Sequence, residues 1–100
     1  MEDEIYSFKL TTGEEIISKL IGEHWNNDYL ILDEPRTLMM GQNGNLSLAP
    51  VLFSADPTHH IFLSKSAIAC WSKYIREELK TGYLSSVSKL VIPNKNIIMG

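Results

Sequence analysis

The sequence predicts a mainly β domain: five short strands in tandem antiparallel hairpins, curled into a small, strongly bent barrel, followed by one carboxy-terminal helix. Three observations carry that prediction. Apolar and polar residues alternate in "IYSFKL", residues 5–10, the period of a half-buried strand. Glycine-bearing corners at Thr11-Thr12-Gly13-Glu14 and at Asn43-Gly44 interrupt the apolar runs, as hairpin turns do. After Lys73 the apolar period lengthens from that of a strand to that of a helix.

The first strand is residues 5–10, with Tyr6, Phe8 and Leu10 on one face. The next segment, "TTGEEIISKL", is ambiguous. Thr12 followed by Glu15 has capping-box spacing, and Ile16, Ile17, Leu20 and Ile21 would share one side of a helix. Three of those four are β-branched isoleucines, which favour pleated backbone. Gly13 would weaken the first helical turn, and Gly22 ends the segment early. A strand follows, with Gly13 turning the hairpin. "EHWNND" is a polar connection. "YLILDEPRTLMM", 29–40, is the third strand, with a bend or bulge expected at Pro35 because proline cannot donate to a ladder. "GQNGN" turns the next hairpin, and "LSLAPVLFS", 46–54, is the fourth strand, kinked or at an edge at Pro50. "HIFLS", 60–64, and "AIACW", 67–71, form a final strand with a corner near Lys65-Ser66, or two short strands.

The helix is expected over about 73–88, with Ser72 as N-cap. Tyr74, Ile75, Glu78, Leu79, Gly82 and Tyr83 share its inner face, and Arg76, Glu77 and Lys80 the wet side. Tyr74, Leu79 and Tyr83 read as packed core. Pro93 forbids further helix, and the tail, 89–100, is loose unless Ile97 and Ile98 dock on a partner. Residues 1–100 make one domain, with the barrel spanning about 5–71.

Apolar residues are 44% and charged residues 21% of the chain, values of a soluble globular protein. No apolar run approaches the ~20 residues of a membrane span. The opening "MEDE" is acidic where a signal peptide is basic, so a cytoplasmic protein is expected. Cys70, the single cysteine, can form no internal disulfide; within "AIACW" it reads as a small buried hydrophobe. The net charge of -3 attracts neither nucleic acid nor anionic membrane by itself. Its distribution is uneven: residues 1–34 carry a net -7 and the remainder +4, a split that steers halves or subunits together.

No catalytic motif is present. Adjacent His59 and His60 point to opposite faces of a strand, His24 is distant, and no Cys or acid completes a metal spacing. No nucleophile signature surrounds Cys70. Glu14-Glu15 and Asp33-Glu34 sit at turns as solvated carboxylates. "GQNGN" lacks the lysine and helix of a phosphate loop. A non-enzymatic protein without metal or cofactor is therefore expected. Trp25, in a polar loop, is read as a lid over the barrel end ahead of a stacking platform for a base. Lys65 is either an exposed corner lysine or a phosphate contact.

The strand pattern resembles the Sm-like (LSm) family, and in particular small Sm-like proteins of phage-type genomes that carry the helix after the barrel. The first family motif is matched by Gly13, Ile16, Ser18 and Leu20, and the shape of the second by "FLSKSAIAC". The resemblance implies a homo-oligomeric ring of about five to seven subunits, closed by pairing the fourth strand of one copy with the fifth of the next. It implies RNA or single-stranded nucleic acid as ligand, at Trp25, Asn26 and Asp28 from one loop and Lys65 from the other. The host cytoplasm would be the location of a phage-encoded member. The sequence departs from the family at Asp28, an acid in the asparagine slot, and at Ser64 and Lys65, which fill the arginine and glycine slots. A structural or adaptor ring holding protein partners, without a nucleic-acid role, is the alternative.

Overall fold

The structure, a computed structural model, describes residues 4–23 and 28–87. Six strands run antiparallel: β1 (Glu4–Leu10), β2 (Glu15–Glu23), β3 (Tyr29–Met40), β4 (Leu46–Pro50), β5 (Ile61–Ser64) and β6 (Ile68–Ser72). One turn of 3-10 helix, Lys65–Ala67, joins β5 to β6. Residues 77–87 form the helix, α1. The sheet order is β4-β3-β2-β1-β6, with β5 also paired to β3. The mainly β fold with a carboxy-terminal helix is thus present, and the predicted fifth strand is two short strands bent at the Lys65 corner. Since β5 grips β3 and β6 grips β1, the two sides of the sheet are joined by chain at that corner. The sheet curls without closing its hydrogen-bond ladder.

The ambiguous segment is extended. Leu10 N–H donates to Glu14 O at 2.8 Å and Gly13 N–H to Leu10 O at 2.9 Å. Gly13 supplies the positive φ of 104° that this turn requires. Phe8 then faces Ile16 and Tyr6 faces Ser18 across the β1–β2 ladder. Gly44, with φ 83°, turns the β3–β4 hairpin as its sequence predicts.

β2 explains its own ambiguity, because both of its faces are covered. On the inner face Phe8, Leu30 and Leu32 form a buried cluster packed by Tyr6, Leu10, Leu20, Leu63 and Ile68. On the opposite face Ile17 meets Tyr83 and Val87 of α1, with Ile5, Leu48 and Ile75 around them. A strand buried on both faces loses strict alternation. Each fully buried side chain of this size contributes ~1.5–3 kcal/mol.

Bulges bend the sheet. Ile17 faces Arg36 and Lys19 faces Asp33, so Glu34 and Pro35 together oppose Ser18. Glu34 takes a left-handed φ of 55° in this bulge. The bend expected at Pro35 is this bulge. Its freed backbone groups are met by side chains. Lys19 N–H donates to the Tyr83 hydroxyl at 3.1 Å, and that hydroxyl points its hydrogen at Glu34 O (2.8 Å) and Asp33 O (3.0 Å). Ser18 Oγ lies 3.3 Å from Asp33 O and also donates to Lys19 O at 2.9 Å. Two further irregularities, near Ile21 on β2 and Ala69 on β6, add local twist.

Three expectations need correction. β4 ends at Pro50, not at residue 54, and the chain turns through residues 51–60; the missing proline N–H stops the ladder there. The helix begins at residue 77, not 73. Ser72 belongs to β6, and its hydroxyl accepts the Tyr74 N–H at 3.0 Å in a local turn. The inner face of α1 is accordingly displaced: Leu79, Tyr83 and Val87 turn inward, with Ile75 just ahead of them, while Tyr74 is 84% exposed and Glu78 and Gly82 face outward. Cys70 is exposed rather than buried. It faces Lys9 in the ladder, on the side opposite Trp71. The expected tail, 89–100, lies outside the described residues.

Tyr83→Phe keeps the ring and removes the hydroxyl, leaving the bulge groups without their partner. Urea unfolding should show a loss of ~1–3 kcal/mol. Burial pushes the Tyr83 phenol up to about 12 from 10.0. A group raised on folding stabilises fully below its unfolded value, so this contribution is intact below pH 10 and is lost as pH rises from 10 through about 12. The hydrogen bond to Glu4 raises Tyr6 in the same direction. Comparing the alkaline unfolding of wild type and Tyr83→Phe isolates the Tyr83 part, and the variant should show the shallower pH dependence.

Candidate ligand-binding corner and cavity

The end of β2, the start of β3 and the 3-10 corner meet at one place. β3 pairs with β5 so that Tyr29 faces Ser64, and the next backbone bond runs from Lys65 N–H to Asp28 O at 3.0 Å. Two of the four expected nucleic-acid residues, Asp28 and Lys65, are therefore brought together, by main chain. Trp25 and Asn26, like His24, lie outside the described residues. Lys65 Nζ is 2.8 Å from Glu23 Oε2, with side chains 36% and 52% exposed. The Ser64 and Ser66 hydroxyls are hydrogen-bonded at 2.9 Å. Among the described residues Glu23 matches Lys65 at this corner, so the lysine's charge is already answered there. The pairing of Lys65 with Glu23 was not legible in the sequence, because these residues are 42 positions apart.

The ion pair borders a half-open cavity of about 510 Å³ lined, among the described residues, by Tyr6, Phe8, Leu20, Leu30, Ile68 and Trp71, together with Ala69, Glu23 and Lys65. Strand alternation puts Tyr6 and Phe8 on the same side of β1, and the ladder places Trp71 opposite Phe8. The Tyr6 and Phe8 rings are nearly parallel with centroids 6.0 Å apart, and Tyr6 and Trp71 are tilted by 51° at 5.6 Å. The Tyr6 hydroxyl donates to Glu4 Oε1 at 2.8 Å. Sequence reasoning found the Tyr6–Phe8 face but not its use, since Trp71 joins it only through the β1–β6 pairing.

Elsewhere the titratable groups serve local structure. Asp56 accepts the Thr58 N–H at 2.9 Å and its hydroxyl at 2.7 Å. These bonds, with His59 at 3.4 Å, hold the Asp56 carboxyl below its ordinary range. Lys9 approaches Glu15 and Lys19 approaches Glu34, at 3.7 and 3.9 Å. Among the described residues no three His, Cys, Asp or Glu side chains converge as a metal-ligand set, and no helix is long and apolar enough to cross a membrane.

The outer edges are apolar. Among the described residues β4 and β5 pair with β3 alone, and β6 with β1 alone. Phe62 on β5 and Trp71 on β6 are both more than half exposed, as are Phe53 and Tyr74 nearby.

No family model matches the chain, and no curated protein sequence matches it either.

The exposed Glu23–Lys65 pair and the inner cluster differ sharply in energetic weight. Lys65→Ala should cost at most ~1 kcal/mol of stability. Phe8→Ala, at a position 2% exposed, should cost ~3–5 kcal/mol. Equilibrium urea unfolding of both variants checks the contrast.

Proposed function

We propose that this chain is the subunit of a non-enzymatic, Sm-like homo-oligomeric ring that works in the cytoplasm and presents the Asp28–Lys65 corner to RNA or single-stranded nucleic acid. One observation carries the ring: among the described residues β4 is laddered to β3 alone and β6 to β1 alone, with Leu46 and Trp71 exposed on them. Pairing β4, the fourth strand, of one copy with the β5–β6 segment, the predicted fifth strand, of the next makes one head-to-tail contact, which closes by rotation. About five to seven copies is the range the resemblance implies. The strand order, with β6 beside β1 and β5 beside β3, supports the same reading.

The nucleic-acid role is supported by the junction of the two expected binding loops at the Lys65–Asp28 backbone bond. A ring repeats that corner in every subunit, so weak single contacts add through effective concentration. A second reading, an adaptor ring that binds protein partners, is favoured by the Lys65–Glu23 pair, which neutralises the lysine a phosphate would need, and by the exposed Phe53 and Tyr74.

Light scattering should give a closed oligomer that Phe62→Glu converts to monomer; a concentration-independent wild-type monomer removes the ring. Short uridine- and adenine-rich RNAs, titrated at low salt, should bind with an affinity that falls steeply as salt rises. Glu23→Gln frees Lys65 and should tighten that binding. No binding at high micromolar protein moves the function to the adaptor reading.

A further inference from the structure

We propose that the cavity between β1, β2, β3 and β6 is a binding site for one neutral, planar heteroaromatic ring that carries a hydrogen-bond donor and an acceptor side by side on one edge. Nicotinamide, a free nucleobase and a base unstacked from a single strand share that chemistry. The inference requires neither ring assembly nor strand binding.

Size, shape and charge each narrow the ligand. About 510 Å³ falls within the ~300–1,000 Å³ typical of small-molecule sites. Phe8, Leu20, Leu30 and Ile68 make an apolar floor, and Tyr6 with Trp71 makes an aromatic wall, which favours a flat ring by stacking and edge contacts. Among the described residues the charged groups lining the space are Glu23 and Lys65, and they cancel. A charged ligand would match one of them and leave the other without its partner, a penalty that a neutral ligand avoids.

The same pair selects the edge of the ring. Glu23 Oε2 is an acceptor and Lys65 Nζ a donor, 2.8 Å apart and both reachable from solvent. An amide-like edge has an N–H next to a carbonyl or ring nitrogen. Its N–H donates to Glu23 and its acceptor receives from Lys65, so two charge-assisted bonds replace one. The Tyr6 hydroxyl donates to Glu4, so among the described lining residues the Glu23–Lys65 pair is the charged end of the cavity. Ala69, exposed at the β6 irregularity, lines the space and is the place to block it.

Saturation-transfer NMR on the full chain, with nicotinamide and adenosine as probes and benzoate and benzylamine as charged rings, tests the proposal. The neutral probes should receive saturation and bind more tightly than either charged ring. Ala69→Trp should weaken them by about tenfold or more. Trp71→Ala, at an exposed position, gives an equivalent test should Ala69→Trp fail to fold. The double variant Glu23→Leu/Lys65→Leu keeps the net charge of the pair at zero, yet should lose the preference for nicotinamide over phenol, added as a neutral ring without the paired donor and acceptor edge. Absence of transfer to wild type at millimolar probe, undiminished binding to Ala69→Trp and Trp71→Ala, or charged rings binding as well as neutral ones each overturns the site. Oligonucleotide binding that falls together with adenosine binding in Ala69→Trp identifies the source as an unstacked base. Oligonucleotide binding that persists while adenosine binding is lost identifies it as a free small molecule.

Discussion

The hydroxyl of Tyr83 ties α1 to the bulge at Glu34 and Pro35, and the path of β3 depends on that contact. β3 has β2 along one side, and β4 and β5 end to end along the other. A flat strand of this length would hold one continuous neighbour. The bulge breaks its direction so that two partners can share one edge. The break frees backbone groups in a buried region, where an unmet carbonyl or N–H is costly. The phenol accepts from one side and donates to the other, so one side chain meets groups on both β2 and β3. Helix docking and sheet curvature are therefore coupled.

The same coupling explains how so short a chain obtains a core. A sheet of this size has one inner face and would leave the other wet. Here β2 carries Ile16 and Ser18 inward and Ile17 toward the helix, so a second layer is built on the same strand. Chains near this length bury only about two-thirds of their unfolded surface. The apolar residues exposed on β3, β4, β5 and β6, among them Met40, Leu46, Phe62 and Trp71, are part of the unburied remainder, which ties the assembly question to the energetics of the single subunit.

Charge at the Lys65 corner follows a different logic. Several cations of the described residues stand near acids: Lys9 near Glu15, Lys19 near Glu34, Lys65 near Glu23. The acidic amino-terminal third thus answers positive charge elsewhere in the fold as well as within itself. At the corner the result is a neutral polar end on an aromatic cavity. That arrangement favours recognition by shape and hydrogen-bond pattern over recognition by net charge, and it weighs against a purely electrostatic hold on a phosphate chain.

By itself the sequence determined the elements whose cause is local. Gly13 and Asn43-Gly44 turn hairpins because of backbone conformations that few other residues adopt. Pro35 produces an irregularity because it cannot donate, and the isoleucines of β2 outweigh a capping-box spacing. The corner near Lys65 was equally readable. The periodicity placed Ile75, Leu79 and Tyr83 inward, as they are, but tertiary structure turned that face so that Tyr74, Glu78 and Gly82 are exposed and Val87 is buried, because Tyr83 is held by a bulge on a distant strand. Tertiary structure also decided that Cys70 is exposed, that Lys65 meets Glu23, and that Trp71 completes a cavity begun by Tyr6 and Phe8. Local signals record the conformations a short peptide prefers. Helix facing, ion-pair choice and cavity closure depend on contacts between segments far apart in the chain, and those exist only once the sheet has curled.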